Sequence, residues 1–425
     1  MKKIFTTFVL YFMISANAHS ELTIKIDRAE IGALPIMVKV SNNLPNISSN
    51  KIKEIIENDL YGSGYFTVLD SSKISGKFEN KDTKYALLSL AGANFFLDSK
   101  IYNENSNTYI RFDLYNIIKK ELVISYKINL KNNNIRKIAH TISNVIFEEI
   151  TGIKGIFDTK IAYISTEIKK NANKKIYKLH VADIDGHNSI AIYKSSKQIM
   201  SPTWSPKNDK IAYVSFENNR PEIFIQTLET GERIKLDNNK KSSSAPAWSP
   251  NGNFMAYTSS VNGNLEIFVY SFVSKSDRRI TNSIGIDTEA EWNINNKEIF
   301  FTSDRSGKPH IYIKSINSGK AKRLTFEGTY NADANLSSDG KELSLVHNNG
   351  SGHKIGILSL KDNFLKVISN GKLDEAPSFA PNNKMVLFAS KKIHKGILVA
   401  ASNDGRIRKE IELVGENVRE PIWSH

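Results

Sequence analysis

The residues best placed to do chemistry in this chain are carboxylates that recur a few positions ahead of a repeated large apolar residue: Glu289, Asp333, Glu375 and Glu420, with Asp287 and Asp374 nearby. Acids gathered on one face offer hard oxygen ligands to a divalent cation, or receive the Lys and Arg side chains of a basic peptide. The same residue types also cap turns and pair with neighbouring cations, and the sequence leaves those readings open. Asp304-Arg305-Ser306-Gly307 and Arg323 read in that second way, as turn chemistry and an ion pair. No catalytic constellation accompanies the acids. The nine histidines (19, 140, 180, 187, 310, 347, 353, 394 and 425) include no H-x-H or H-x-x-x-H pair, and no G-x-S-x-G elbow occurs. His347 and His353 flank a Gly-rich turn and are expected on the solvent side. With no cysteine, disulfides, thiolate metal sites and a thiol nucleophile are excluded. No catalytic, metal or cofactor residue is therefore assigned.

The elements that must position these acids follow from a repeat. Large apolar residues fall at 204, 248, 292, 336, 379 and 423, in steps of 44, 44, 44, 43 and 44. The clearest copies are Pro202-Thr203-Trp204-Ser205-Pro206, Pro246-Ala247-Trp248-Ser249-Pro250 and Pro421-Ile422-Trp423-Ser424. Weaker copies are Ala290-Glu291-Trp292-Asn293, Ala334-Asn335-Leu336-Ser337 and Pro377-Ser378-Phe379-Ala380-Pro381. Each is followed by further β-rich columns, such as Ile211-Ala212-Tyr213-Val214 and Ile223-Phe224-Ile225. A period of about 40–50 residues made of short strands is one four-stranded propeller blade. Six copies predict a six-bladed β-propeller over residues 156–425. A first set beginning at Ile161-Ala162-Tyr163-Ile164 lacks a preceding Trp-Ser strand, and the last copy, Trp423-Ser424, has no blade after it. The last strand is therefore expected to complete the first blade, closing the ring. The tryptophans and tyrosines read as inter-blade core, and the residues just before each Trp column as loops on one face around the axial channel.

Residues 21–155 read as a small α/β domain. Strands are predicted near 21–26, 34–40, 65–69, 94–102, 109–117 and 122–130, the last two joined around Ile118-Lys119-Lys120. Helices are predicted from Ser48 or Ser49 to a stop at Gly62 or Gly64, near Tyr85–Leu90, and from Ile135 to Ile150 ahead of Gly152, all packed on one face of the sheet. Ahead of this domain, Lys2-Lys3, the apolar run Ile4–Ile14 and the small residues to Ser20 form a secretory signal peptide, cleaved after Ala18 or Ser20. Net charge is +14, but the lysines are scattered singly or in pairs, so a nucleic-acid surface is not expected.

Taken together, these residues resemble the TolB family, periplasmic components of the Tol–Pal system of Gram-negative envelopes. The resemblance spans the chain. Its most specific stretches are Ala139-His140-Thr141-Ile142-Ser143, the junction from Glu148-Glu149-Ile150-Thr151-Gly152 through Asp158-Thr159-Lys160-Ile161-Ala162-Tyr163, Thr302-Ser303-Asp304-Arg305-Ser306-Gly307, and Asp333 to Gly340. The resemblance implies a non-enzymatic adaptor, monomeric and without a cofactor, that supports outer-membrane integrity and constriction during cell division. It would bind the lipoprotein Pal at the channel mouth, and so associate peripherally with the outer membrane, and bind TolA through an N-terminal arm. By position, the Pal-facing residues would be Ser242, Asp287, Thr288, Glu289, Tyr330, Asp333, Asp374, Glu375 and Glu420. The arm would begin Glu21, Leu22, Thr23, Ile24, Lys25, Ile26, Asp27 and run to about residue 33. Where the family can place a histidine before the second Trp column, this chain has Ser242-Ser243-Ser244. The competing readings are a peptide- or cation-binding propeller sensor, and a propeller enzyme acting at the channel mouth.

Overall fold

The computed structural model describes residues 24–26, 32–42, 44, 47–73, 80–130, 134–169, 174–238, 242–411 and 417–425. The signal segment and Glu21, Leu22, Thr23 and Asp27 of the arm lie outside the described residues. Among the described residues, no helix is long and apolar enough to cross a membrane.

The N-terminal part contains β2 (Leu34–Asn42), α1 (Ser49–Gly62), β3 (Phe66–Leu69), α2 (Lys81–Leu90), β4 (Phe95–Glu104), β5 (Asn107–Asn116), β6 (Glu121–Asn129) and α3 (Ile135–Thr151). The sheet order is β3-β2-β4-β5-β6, with β2 parallel to both neighbours and the remaining pairs antiparallel. Side-chain oxygens cap each helix start: Ser48 accepts from Lys51 N, Asn80 from Thr83 N and Asn134 from Lys137 N. Gly152, at φ 68°, ends α3 in the left-handed conformation that a residue without Cβ enters at little cost. Alternation along the strands divides the core. Ile36, Val38, Leu97, Ile110 and Phe112 pack under α1 and α3, whereas Met37 and Phe96 point the other way, to Tyr85 and Leu88 of α2. The expectation of helices on one face is thus corrected: α2 covers the opposite face.

Six further sheets make the propeller. Blade 1 combines residues 160–195 with Asn417–Trp423. Blades 2 to 6 span residues 199–235, 244–279, 287–323, 330–367 and 375–411, each with its innermost strand first. The closing strand pairs antiparallel with Lys160–Lys169, so the ring closes as the sequence predicts. A fifth strand lies on blade 6: β1 (Ile24–Ile26) pairs with the outer strand Arg408–Ile411, in the register Ile24–Ile411, Lys25–Glu410 and Ile26–Lys409.

The Trp-Ser signature is structural. The Trp204, Trp292 and Trp423 indoles are buried and donate to Ile422 O, Ala247 O and Thr159 Oγ1 respectively. The following serine accepts the first amide of the next strand: Ser205 from Lys210 N, Ser249 from Phe254 N, Ser337 from Glu342 N. Ser424 does the same for Lys160 N across the closure, 264 residues away in sequence.

Trp423 is only 2% exposed in the core shared by blades 1 and 6. Trp423→Ala is expected to cost about 3–5 kcal/mol in denaturant unfolding, and removal of residues 421–425 more. A truncated chain with an unchanged melting temperature would show that the closing strand does not hold the ring.

Candidate functional site: an acidic pit on the propeller axis

Each innermost strand carries a register break: between Met200 and Thr203, Ser244 and Ala247, Thr288 and Glu291, Ala332 and Asn335, Glu375 and Ser378, and Arg419 and Ile422. At every break one non-glycine residue has positive φ: Ser201 50°, Ala245 46°, Glu289 53°, Asp333 54°, Ala376 50° and Glu420 48°. Left-handed backbone disfavours residues with a Cβ, so its recurrence at the blade period marks a built bulge. The acids read as loop residues therefore sit inside strands, and the bulge turns them toward the axis.

There they line a cavity of about 440 Å³ whose walls include Glu289, Glu291, Tyr330, Asp333, Glu375 and Glu420. Two layers of inter-blade hydrogen bonds surround it. In the outer layer, a bulge carboxylate accepts the bulge amide of the next blade. Glu289 Oε2 accepts from Asp333 N at 3.0 Å and from Thr302 Oγ1 at 2.8 Å, and Glu420 Oε2 accepts from Ser201 N. In the deeper layer, the residue before the Trp column accepts the amide of the next column residue. Glu291 Oε1 takes Leu336 N (3.1 Å), Asn335 Oδ1 takes Phe379 N (2.8 Å) and Ser378 Oγ takes Trp423 N (3.0 Å). Beyond this waist, a second cavity of about 340 Å³ opens to the far face among Trp204, Trp248, Trp292, Phe379 and Trp423, and shares Thr203, Glu291, Asn335, Ser378 and Ile422 with the first. The channel is acidic at one end and apolar at the other. The α/β domain joins at the apolar end, where Asn382 Nδ2 donates to Lys154 O.

The carboxylates crowd one another in the pit, where Glu289, Glu291, Asp333 and Glu420 are half-buried and Glu375 is exposed, and this crowding favours their protonated forms. Burial raises Glu289, Glu375 and Glu420 above the usual range, against the pull of Thr302 and Asp333 N on Glu289 and of Arg419 on the other two. Burial, with Glu289, Glu420, Glu375 and Glu291 around it, pushes Asp333 well up. Burial takes Glu291 to about 7. Burial and the nearby Glu289 and Asp333 raise the Tyr330 phenol to about 12. Positive charge entering the pit would therefore favour the ionised forms of these acids. Its acids are the groups that could hold a cation. Among the described residues, however, the one trio with ligand atoms within 4.8 Å of one another is His140, Asp183 and Asp185, outside the pit.

The expected partner-facing residues divide. Glu289, Asp333, Glu375, Glu420 and Tyr330 meet at the pit, Tyr330 stacked on His353 with centroids 4.8 Å apart. Thr288 is half-buried, its hydroxyl 3.2 Å from Thr258 Oγ1, and half-buried Ser242 has its carbonyl bonded by Ser259 Oγ. Two placements are corrected. Asp287 is fully buried against Arg305, Oδ2 to Nη2 2.6 Å, and Asp374 is fully buried between Ser369, Gly371 N and Ser390. Neither carboxylate can be offered to a partner. His347, expected at the surface, is buried and bonded to Asn331 Oδ1. Sequence reasoning also missed Glu291; its signal is a carboxylate in a column otherwise holding Thr203, Ala247, Asn335, Ser378 and Ile422. The apolar rim was missed as well. Ile284 (100% exposed), Phe326 (67%) and Leu373 (52%) lie on loops that enter the innermost strands of blades 4, 5 and 6, and Ile393 (83%) lies at the tip of a hairpin on the same face.

An all-β disc with an acidic axial pit and an exposed apolar rim, joined to a small α/β domain, belongs to the class of six-bladed β-propeller proteins. The family model described as "TolB beta propeller domain" matches residues 147–425, and "TolB amino-terminal domain" matches residues 22–123. Curated relatives described as "Tol-Pal system protein TolB" include one from Methylococcus capsulatus, 50% identical over 98% of this chain and 97% of the relative. Another, from Nitrosococcus oceani, is 49% identical over 98% and 96%. The crystal structure of TolB from Acinetobacter baumannii superposes with a TM-score of 0.84 at 34% identity, covering 95% of this chain and 100% of that one. This chain belongs to the TolB family, with a role in the Tol–Pal system of the cell envelope.

Glu291 supplies a pH test. Its folded pKa of about 7 lies above the unfolded value, so its contribution to stability is fully present below about pH 4.5 and is lost as pH rises through 7. Glu291→Gln keeps an acceptor for Leu336 N and is expected to stabilise the chain by on the order of 1–2 kcal/mol at pH 8, and by nothing at pH 4.5. Parallel melting curves of wild type and variant between these pH values would count against a neutral-range Glu291.

Proposed function

We propose that this chain is a non-enzymatic periplasmic adaptor that binds Pal at the acidic channel mouth and TolA through its N-terminal arm, supporting outer-membrane integrity and constriction during division. The observation that carries the reading is the pairing of a charged pit with an apolar rim on the face away from the α/β domain. Ile284, Phe326, Leu373 and Ile393 supply area that a folded partner can desolvate, and Glu289, Asp333, Glu375 and Glu420 supply charge that selects a cationic group. Membership of the Tol–Pal system supports Pal and TolA as the partners. The arm reading is supported by β1, held to blade 6 by three residue pairs, few enough to detach without disturbing the four strands beneath. Export is supported by the charged and apolar pattern of residues 1–20; in this reading the α/β domain runs to about 155, the propeller starts at 156, and the mature chain acts as a monomer.

Titration calorimetry with purified Pal tests the first contact. Phe326→Asp or Ile284→Asp is expected to weaken binding at least about tenfold without lowering the melting temperature, since both side chains are exposed. For the second contact, deletion of residues 21–33 is expected to abolish TolA binding and leave Pal binding measurable. Loss of both would reduce the arm to a structural element.

A further inference from the structure

The sheet of the α/β domain is covered unequally on its two faces. On one, α1 and α3 lie over the strands, and α3 reaches the propeller through Arg136 and Asp183. On the other, α2 is only ten residues long, and its Tyr85 and Leu88 cover Met37, Phe96 and Ile117 at one end of the strands. Past α2 the face is open. Alternation along β4, β5 and β6 decides which side chains stand on it, and the strand pairing sets them in rows. Lys100, Arg111 and Lys127 lie directly opposite one another on the three strands. The next row holds Tyr102, Tyr109 and Asn129.

Lys100, Arg111 and Lys127 are all exposed. Strands lie about 4.8 Å apart, so the cationic row is about 10 Å long. Like charges directly opposite one another repel and weaken a sheet. Acids offset two of the three: Arg111 Nε lies 3.1 Å from Asp113 Oδ1, and Lys127 Nζ bonds Glu104. Both pairs are exposed and screened by water, so a ligand's anions can exchange with them at little cost. Lys100 has no acidic partner among the described residues, the nearby Asp98 being 3.9 Å from Lys84 of α2. In the adjacent row, the Tyr102 and Tyr109 ring centroids are 6.2 Å apart, and Lys127 Nζ lies 4.0 Å from the Tyr109 centroid. A cation already over that ring leaves little room for a flat base to stack. The row offers phenol hydroxyls and an amide instead. No aliphatic side chain projects from either row, so the surface lacks what a bilayer or the core of a protein interface needs.

We propose that this open half-face is a binding site for an acidic oligosaccharide, whose anionic groups meet Lys100, Arg111 and Lys127 and whose hydroxyls meet Tyr102, Tyr109 and Asn129. A line of cations suits a chain that carries several anions better than it suits a single ion. Arg111 engages Asp113 through Nε, and no hydrogen bond among the described residues takes its Nη1 or Nη2. That end of the guanidinium is free to receive a carboxylate. Glu104 competes with the ligand for Lys127, so binding exchanges one anion for another there. The site lies on the face of the sheet opposite α1 and α3, and it neither uses the axial pit nor depends on Pal or TolA.

Titration of the full mature chain with oligogalacturonate tests the site, with a neutral malto-oligosaccharide as the control. Saturable binding of the acidic chain, undisturbed by the neutral one, is expected. Lys100→Gln and Arg111→Gln are each expected to weaken it at least about threefold without lowering the melting temperature, since both side chains are exposed. Glu104→Gln is expected to act in the opposite direction, tightening binding about twofold by releasing Lys127. No saturable binding, or binding that none of these changes alters, overturns the site. Tighter binding of an oligothymidylate would assign the face to nucleic acid, and equal affinity for inorganic phosphate would make it a simple anion site. Either result overturns the saccharide.

Discussion

The propeller depends on finding acceptors for amides that its own geometry takes out of the β-ladder. A bulge near the start of each innermost strand detaches one residue from the ladder, and its N–H needs another acceptor, as at Asp333 and Ser201. The chain meets this demand from the preceding blade: Glu289 receives Asp333 N, Glu420 receives Ser201 N, and one layer deeper Glu291, Asn335 and Ser378 receive Leu336 N, Phe379 N and Trp423 N. Together with the indole bonds of Trp204 and Trp292 and the packing between blades, these bonds help set the spacing of the blades around the channel. The acids at the mouth therefore hold the ring together and charge the pit with the same carboxylates. Truncating one to alanine orphans a buried amide as well as removing charge. The isosteric amide separates the two roles.

The repeat was legible because packing enforces it. A large residue every 43 or 44 positions fills the same inter-blade slot, and the serine beside it closes the same turn, so shape repeats as sequence. Ring closure followed from counting strands. The bulges were not legible, because Ser201, Ala245, Glu289, Asp333, Ala376 and Glu420 share a backbone conformation and no side-chain type. Strand and loop could not be told apart at these positions on residue identity. Asp287 and Asp374 illustrate a second limit. In sequence they are two more acids near the mouth, and only the third dimension supplies Arg305, or Ser369 and Ser390, to bury them.

The N-terminal region shows the same division. Helix ends were written in capping residues and in Gly152, all local signals. Which face each helix covers depends on strand order. With β2 at the centre of the parallel pairs and β4 beside it, residues one apart serve opposite cores, and α2 takes the face that α1 and α3 leave. The alternation at residues 21–26 identified a strand, but its partner, the outer strand of blade 6, lies nearly 400 residues along the chain. No local pattern encodes such a pairing.

The closing strand, Asn417–Trp423, joins these features physically. Glu420 stands in the pit and clasps blade 2. Three residues on, Trp423 receives the Ser378 clasp through its amide and bonds Thr159 through its indole, and its ring walls the cavity that holds Lys409. The strand is clasped on both sides of its bulge, at Glu420 by blade 2 and at Trp423 by blade 6, so one segment ties the pit to the inner side of the domain junction.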